Sequence, residues 1–183
     1  MRFSKAIIPI ALCILLMSLA VPAQRQKGRA ATPRKPIVVT SIDLEALKGL
    51  LTQPREHPLL INFWATYCDP CREEFPDLVK IDRDYRPRAL EFVTISLDAV
   101  EDIKTGVPKF LGSMKATMPA YLLDIPDPQL AIDLIDPRWQ GSLPATFLYN
   151  EKGEMVYKKI GRVKEEELRA ELEKVVKKPV TEK

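Results

Sequence analysis

Two cysteines three residues apart dominate the chain. Cys68 and Cys71 lie in Phe63-Trp64-Ala65-Thr66-Tyr67-Cys68-Asp69-Pro70-Cys71-Arg72-Glu73-Glu74-Phe75-Pro76, where an apolar run gives way to a helix-forming one. Leu59 to Trp64 has the aliphatic and aromatic character of a central strand, and Pro70 suits a first helical turn, where its missing N–H costs no hydrogen bond. Cys68 then falls near a helix N-terminus. Unpaired N–H groups and the positive end of the helix dipole favour a thiolate there, the form that attacks another disulfide. Cys71, one turn on, faces the same side and can resolve the mixed disulfide.

Competing uses of the pair each lack a part. Structural zinc needs four Cys or His ligands, whereas the chain has three cysteines and one histidine in all. Covalent haem attachment needs a histidine directly after the second cysteine, and Arg72 stands there. A purely structural bridge gains mainly by closing a long loop, and this loop is short. Dithiol redox chemistry, with neither metal nor cofactor, is the reading that remains.

The N-terminus suggests an oxidising destination. Arg2 and Lys5 precede an apolar run from Ile7 to Val21, shorter than the roughly 20 residues a spanning helix needs, and Val21-Pro22-Ala23 ends it in small residues. Residues 1–23 read as a secretory signal cut after Ala23; an uncleaved membrane anchor is the alternative, since Pro9 is tolerated near a helix start. Cys13 lacks the preceding small-residue pattern of a lipid anchor. Removal of the signal would take Cys13 away and leave Cys68 and Cys71 alone, as suits an exported, periplasmic or otherwise extracytoplasmic protein. Residues 24–36 carry Arg25, Lys27, Arg29, Arg34 and Lys35 with no acid and read as a basic flexible linker, able at most to touch anionic lipid weakly. The chain as a whole is nearly balanced at +3, with the basic excess in these segments, and nothing suggests nucleic-acid binding.

Residues 37–178 read as one α/β domain, with a C-terminal tail at 179–183. The expected order is a strand at Ile37-Val38-Val39, a helix through Leu51 capped by Thr40 with Asp43, a strand from Leu59 to Ala65, and a helix from the cysteines to Tyr85, which Pro76 should kink. A strand from Glu91 to Asp98 follows, then a helix from Val100 to Ala116 broken at Gly106 and Pro108, a strand from Ala120 to Asp124 and a short helix from Gln129 to Ile135. Two strands, Ala145 to Tyr149 and Glu154 to Ile160, form a hairpin across Asn150-Glu151-Lys152-Gly153, and a last helix keeps Leu168, Leu172, Val175 and Val176 on one face. The result is a mixed central sheet flanked by helices. His57, the single histidine, reads as solvent-facing.

The tryptophan-led Cys-x-x-Cys, Pro76 five residues after its second cysteine, and Leu143-Pro144-Ala145-Thr146-Phe147 before the last hairpin resemble thioredoxin-fold proteins, in particular the TlpA/ResA-like exported thiol-disulfide oxidoreductases. The resemblance covers Ile37 to about Lys178. It implies that Pro144 is a cis proline facing the cysteines and that Leu143 offers its backbone to the client, with Trp64 and Tyr67 completing the client-binding surface. Asn62 stands where cytoplasmic thioredoxins carry a buried acid, so a proton acceptor must come from elsewhere. Glu74, three residues after Cys71 on the same helical face, is the candidate, and the ResA-like group has a glutamate at the matching position.

The resulting expectation is a reductase of protein disulfides in which Cys68 attacks, Cys71 resolves and Glu74 takes a proton, while Asp69 and Pro70 tune the pair. Clients could be cytochrome c apoproteins, copper-site proteins or misbridged proteins generally, and an upstream thiol donor would re-reduce the enzyme. Two alternatives stay open: a copper-binding metallochaperone using the dithiol as soft ligands, and a disulfide oxidase or isomerase. Copper-delivery proteins of this fold, however, resemble CxxxC plus a distal histidine, and the spacing here is one residue short.

Overall fold

A computed structural model describes residues 37–177. The leader, basic linker and tail expected at 1–23, 24–36 and 179–183 lie outside the described residues.

The central strand is β2 (Leu59–Trp64), and every one of its side chains is buried because helices cover both faces of the sheet. Alternation then sorts them. Leu60 and Trp64 join the core beneath α2 (Asp69–Tyr85), α3 (Gly106–Met114) and α5 (Glu165–Val175), while Leu59, Ile61 and Phe63 join the one beneath α1 (Leu44–Thr52) and α4 (Pro128–Ile135). With β1 (Val39–Ile42), β3 (Glu91–Ser96), β4 (Ala120–Leu123), β5 (Ala145–Tyr149) and β6 (Met155–Ile160), the sheet runs β1-β4-β3-β2-β5-β6. β1 to β4, β4 to β3 and β3 to β2 pair parallel; β5 is antiparallel to both β2 and β6. This is the expected element order and a thioredoxin-like fold. Each large apolar side chain fully buried in the two cores contributes about 1.5–3 kcal/mol.

Local chemistry explains the boundaries, including those that differ from expectation. β1 starts later than its apolar run implies, because pairing with β4 sets it from Val39↔Ala120 to Ile42↔Leu123 and leaves Val38 exposed. Thr40 is therefore inside the strand. Asp43 itself caps α1, its carboxylate accepting the Ala46 N–H at 2.8 Å. α2 continues through Pro76 as one span. The predicted helix from Val100 to Ala116 is instead a 3-10 turn at Val100–Lys104 followed by α3; Thr105 separates them with non-helical backbone angles, and Pro108 lies in the first turn of α3, where a proline is tolerated. In the β5–β6 hairpin the Asn150 side chain accepts the N–H groups of Lys152 and Glu154, both at 3.0 Å, and Gly153 takes φ +76°.

His57 departs from expectation. It is half-buried, with Nδ1 enclosed and without a hydrogen-bond partner among the described residues, at the opposite end of β2 from the cysteines.

Candidate active site

β2 ends at Trp64, and the turn after it delivers Cys68 as the N-cap of α2. Asp98, at the end of β3, fixes that turn: its carboxylate accepts the Thr66 N–H at 3.0 and 3.1 Å and the Thr66 hydroxyl as well. The Leu97 N–H donates to the Trp64 carbonyl at 2.8 Å, which locks the same turn to β3. Asp98 was not singled out as a site residue. Its signal in the sequence is an acid at the end of a strand next in the sheet to the cysteine-bearing one.

Cys68 and Cys71 form a disulfide with Cα atoms 5.3 Å apart. The Cys71 N–H points at the Cys68 sulfur from 3.3 Å, an orientation that would stabilise charge on this sulfur when the bond is open. Exposure separates their accessibility: Cys68 is 8% exposed and Cys71 is 0%. An incoming group can therefore reach only Cys68. Asp69 and Pro70 occupy the first two positions of α2, and both are exposed beside it.

Glu74 lies one turn beyond Cys71 and is completely buried. Asn62 of β2 donates to its Oε1 at 2.9 Å, and the Val163 N–H, from the turn before α5, donates to its Oε2 at 2.9 Å. Burial pushes the Glu74 carboxyl up to about 7, while these two hydrogen bonds and the Arg162 charge pull the other way. Its neighbour Glu73 is exposed and pairs with Arg162 at 2.8 Å. Asn62 also donates to Thr146 Oγ1 of β5 at 3.1 Å, so one amide connects the acid to the strand that follows Pro144. The carboxyl is thus held in place and titrates near neutrality, as a proton-transfer group requires.

The Leu143–Pro144 peptide bond is cis. Because β5 runs antiparallel to β2 with Phe63 opposite Ala145, Pro144 lies at the end of β2 from which the cysteine turn emerges. Leu143 is half-buried and Pro144 is buried; Tyr67, on the cysteine turn, is 71% exposed. Trp64 differs from the expectation of a client-contacting side chain. It has no exposed surface, because its indole stacks on Phe110 at 4.6 Å and meets Phe75 edge-on at 4.9 Å. Its contribution is to the floor under the turn.

Among the described residues no group of three or more His, Cys, Asp and Glu side chains converges, and no helix is long and apolar enough to cross a membrane.

Comparison with known proteins agrees with this geometry. The thiol-disulfide oxidoreductase ResA of Bacillus cereus is 29% identical over 157 residues, covering 84% of this chain and 82% of that protein. The crystal structure of StoA from Bacillus subtilis, 27% identical, superposes with a TM-score of 0.52 over 64% of this chain and 83% of that one. A secreted disulfide oxidoreductase of Mycobacterium tuberculosis, homologous to DsbE of E. coli, shares the fold at 22% identity and a TM-score of 0.52, over 67% of this chain and 84% of that one. The protein is a thiol-disulfide oxidoreductase that acts through a Cys-x-x-Cys dithiol, homologous to ResA-type proteins. The AhpC/TSA family model matches residues 40–158, and the chain belongs to that family.

Proposed function

We propose that the protein works outside the cytoplasm as a reductant of protein disulfides, with Cys68 as nucleophile, Cys71 as resolving thiol and Glu74 as proton acceptor. In the reduced enzyme the Cys68 thiolate attacks one sulfur of a client disulfide. A Cys68–client bond forms, the client S–S bond breaks, and the second client sulfur leaves as a thiolate. Cys71 then gives its proton to Glu74 and attacks Cys68, which closes the Cys68–Cys71 disulfide and releases the first client sulfur. The client gains two electrons and the enzyme loses two, so an upstream dithiol must restore it.

The observation that carries this reading is the asymmetry of the pair: a reachable sulfur at the helix N-cap, and an enclosed partner one turn from a buried acid that titrates near 7. The reductive direction rests on Asp69, whose carboxylate beside Cys68 opposes a second negative charge and so works against the excess thiolate stability of a strong oxidant. Tyr67, Leu143 and Pro144 are the client-contacting groups in this reading. Its client range includes cytochrome c apoproteins and copper-site proteins, and its site of action agrees with the signal-like leader and with the secreted Mycobacterium relative.

Equilibration of the oxidised protein with glutathione buffers, alongside an insulin-reduction assay, tests the proposal. Turnover with a potential near the roughly −270 mV of thioredoxin supports it. A potential at or above about −180 mV, the disulfide-isomerase value, would overturn the reductive direction.

A further inference from the structure

A cavity of about 230 Å³ opens beside the cysteine turn, lined by Thr66, Arg72, Gly106, Lys109, Phe110 and Ser113. Its lining carries two cations and no carboxylate; of the acids behind that lining, Asp98 accepts the N–H and hydroxyl of Thr66, and Asp102, behind Gly106, accepts the Thr105 hydroxyl at 3.3 Å. Neither Arg72 nor Lys109 has an ion-pair partner among the described residues. This basic pair stands out against the domain around it. Of the chain's 28 basic residues seven precede Ile37, which leaves 21 against 25 acidic ones from there onward.

The cavity is also built in place. Phe110, 6% exposed, is stacked on Trp64 and forms part of its wall. The exposed Arg72 guanidinium lies 5.4 Å from the Phe110 ring centre and donates one N–H to the Thr66 carbonyl at 3.3 Å, two contacts that orient it beside the cavity. A guanidinium oriented in advance loses less entropy on binding a carboxylate than a free one would.

Resting on the reductase reading above, we propose that this cavity is a specificity subsite for a carboxylate side chain of the client, an Asp or Glu close in sequence to the cysteine under attack. Thr66 is two residues before Cys68 and Arg72 directly follows Cys71, so the subsite adjoins the reacting sulfur. Extended chain spans about 3.3–3.6 Å per residue, and an acid two to four positions from the client cysteine can reach it.

The test compares kcat/KM of the reduced protein for disulfide-linked peptides that differ only in Asp or Asn, placed two, three or four positions to either side of the cysteine, with neutral 2-hydroxyethyl disulfide as control. At low salt the wild type should prefer the Asp peptide by about two- to fivefold at one or more positions, the range expected of solvent-accessible charge pairs, and salt should erode the preference. Lys109→Glu should abolish or reverse it without changing the rate on the neutral disulfide. No preference in the wild type, or one that survives in Lys109→Glu, overturns the subsite and leaves the reductase reading intact. Failure of the wild type to turn over even the neutral disulfide would remove both.

Discussion

Glu74→Gln offers a quantitative reading of how deeply the acid is embedded. In the unfolded chain this carboxyl titrates at its ordinary 4.5, whereas burial lifts it to about 7 in the native protein. A raised acid pKa means that the folded state holds the proton more tightly, so between pH 4.5 and 7 folding takes up protons and stability falls as the pH rises. The penalty is absent below the lower value and complete above the upper one, at about 3 kcal/mol. Glutamine does not titrate and escapes it. Against this, glutamine has one acceptor oxygen for two donors, the Asn62 amide and the Val163 N–H, and an unmade buried bond costs about 1–3 kcal/mol. Asn62 can limit the loss by turning its amide, since its Oδ1 has no partner among the described residues. That cost does not depend on pH. The stability of Glu74→Gln minus that of wild type should therefore rise by about 3 kcal/mol from pH 4.5 to pH 8, whatever its starting value. Urea unfolding of both proteins in the oxidised form, where the cysteines do not titrate, measures the difference and cancels every other carboxylate. Parallel stability curves across this range would refute the embedded, titrating acid.

Asn62→Leu should move the pH dependence of the resolving step upward by about one unit or more, because the charged form of Glu74 loses a hydrogen bond; stopped-flow rates of mixed-disulfide resolution read it. Asp69→His should make the protein more oxidising in glutathione buffers, since a positively polarised group replaces the carboxylate beside Cys68. An unchanged potential would leave Asp69 only the general role of an acid in the first turn of α2, facing the positive end of the helix dipole. Asp98→Asn should destabilise the protein by about 1–2 kcal/mol, as Thr66 loses charge-assisted bonds, in chemical unfolding at neutral pH.

What was legible in the sequence is what short-range chemistry decides. The strand-to-helix junction at Cys68, the proline in the first turn of α2, the Asn–Gly hairpin and the alternation of strands and helices each depend on neighbours within a few residues. Pro144 was legible through resemblance rather than local chemistry, as no feature of Leu143-Pro144 alone distinguishes it from a loop proline. Glu74 was legible as a candidate by its spacing from Cys71. Its burial was not, because Glu73 and Glu74 look alike in sequence; the choice is made by Asn62 beneath and by Val163, 89 residues away. The same distance effect hides Trp64 under Phe110 of α3, leaving the exposed Tyr67 on the cysteine turn. β1 shows the limit for edge strands: its apolar run begins at Ile37, yet pairing with β4 decides where the strand starts.

The order of attack is the center of the account, and trapping tests it most directly. Reduced Cys71→Ala, mixed with a protein disulfide, should accumulate a one-to-one mixed disulfide that peptide mapping by mass spectrometry assigns to Cys68, while Cys68→Ala should accumulate none because Cys71 is enclosed. Accumulation of the adduct on Cys71 in Cys68→Ala, with none on Cys68 in the companion variant, would contradict it.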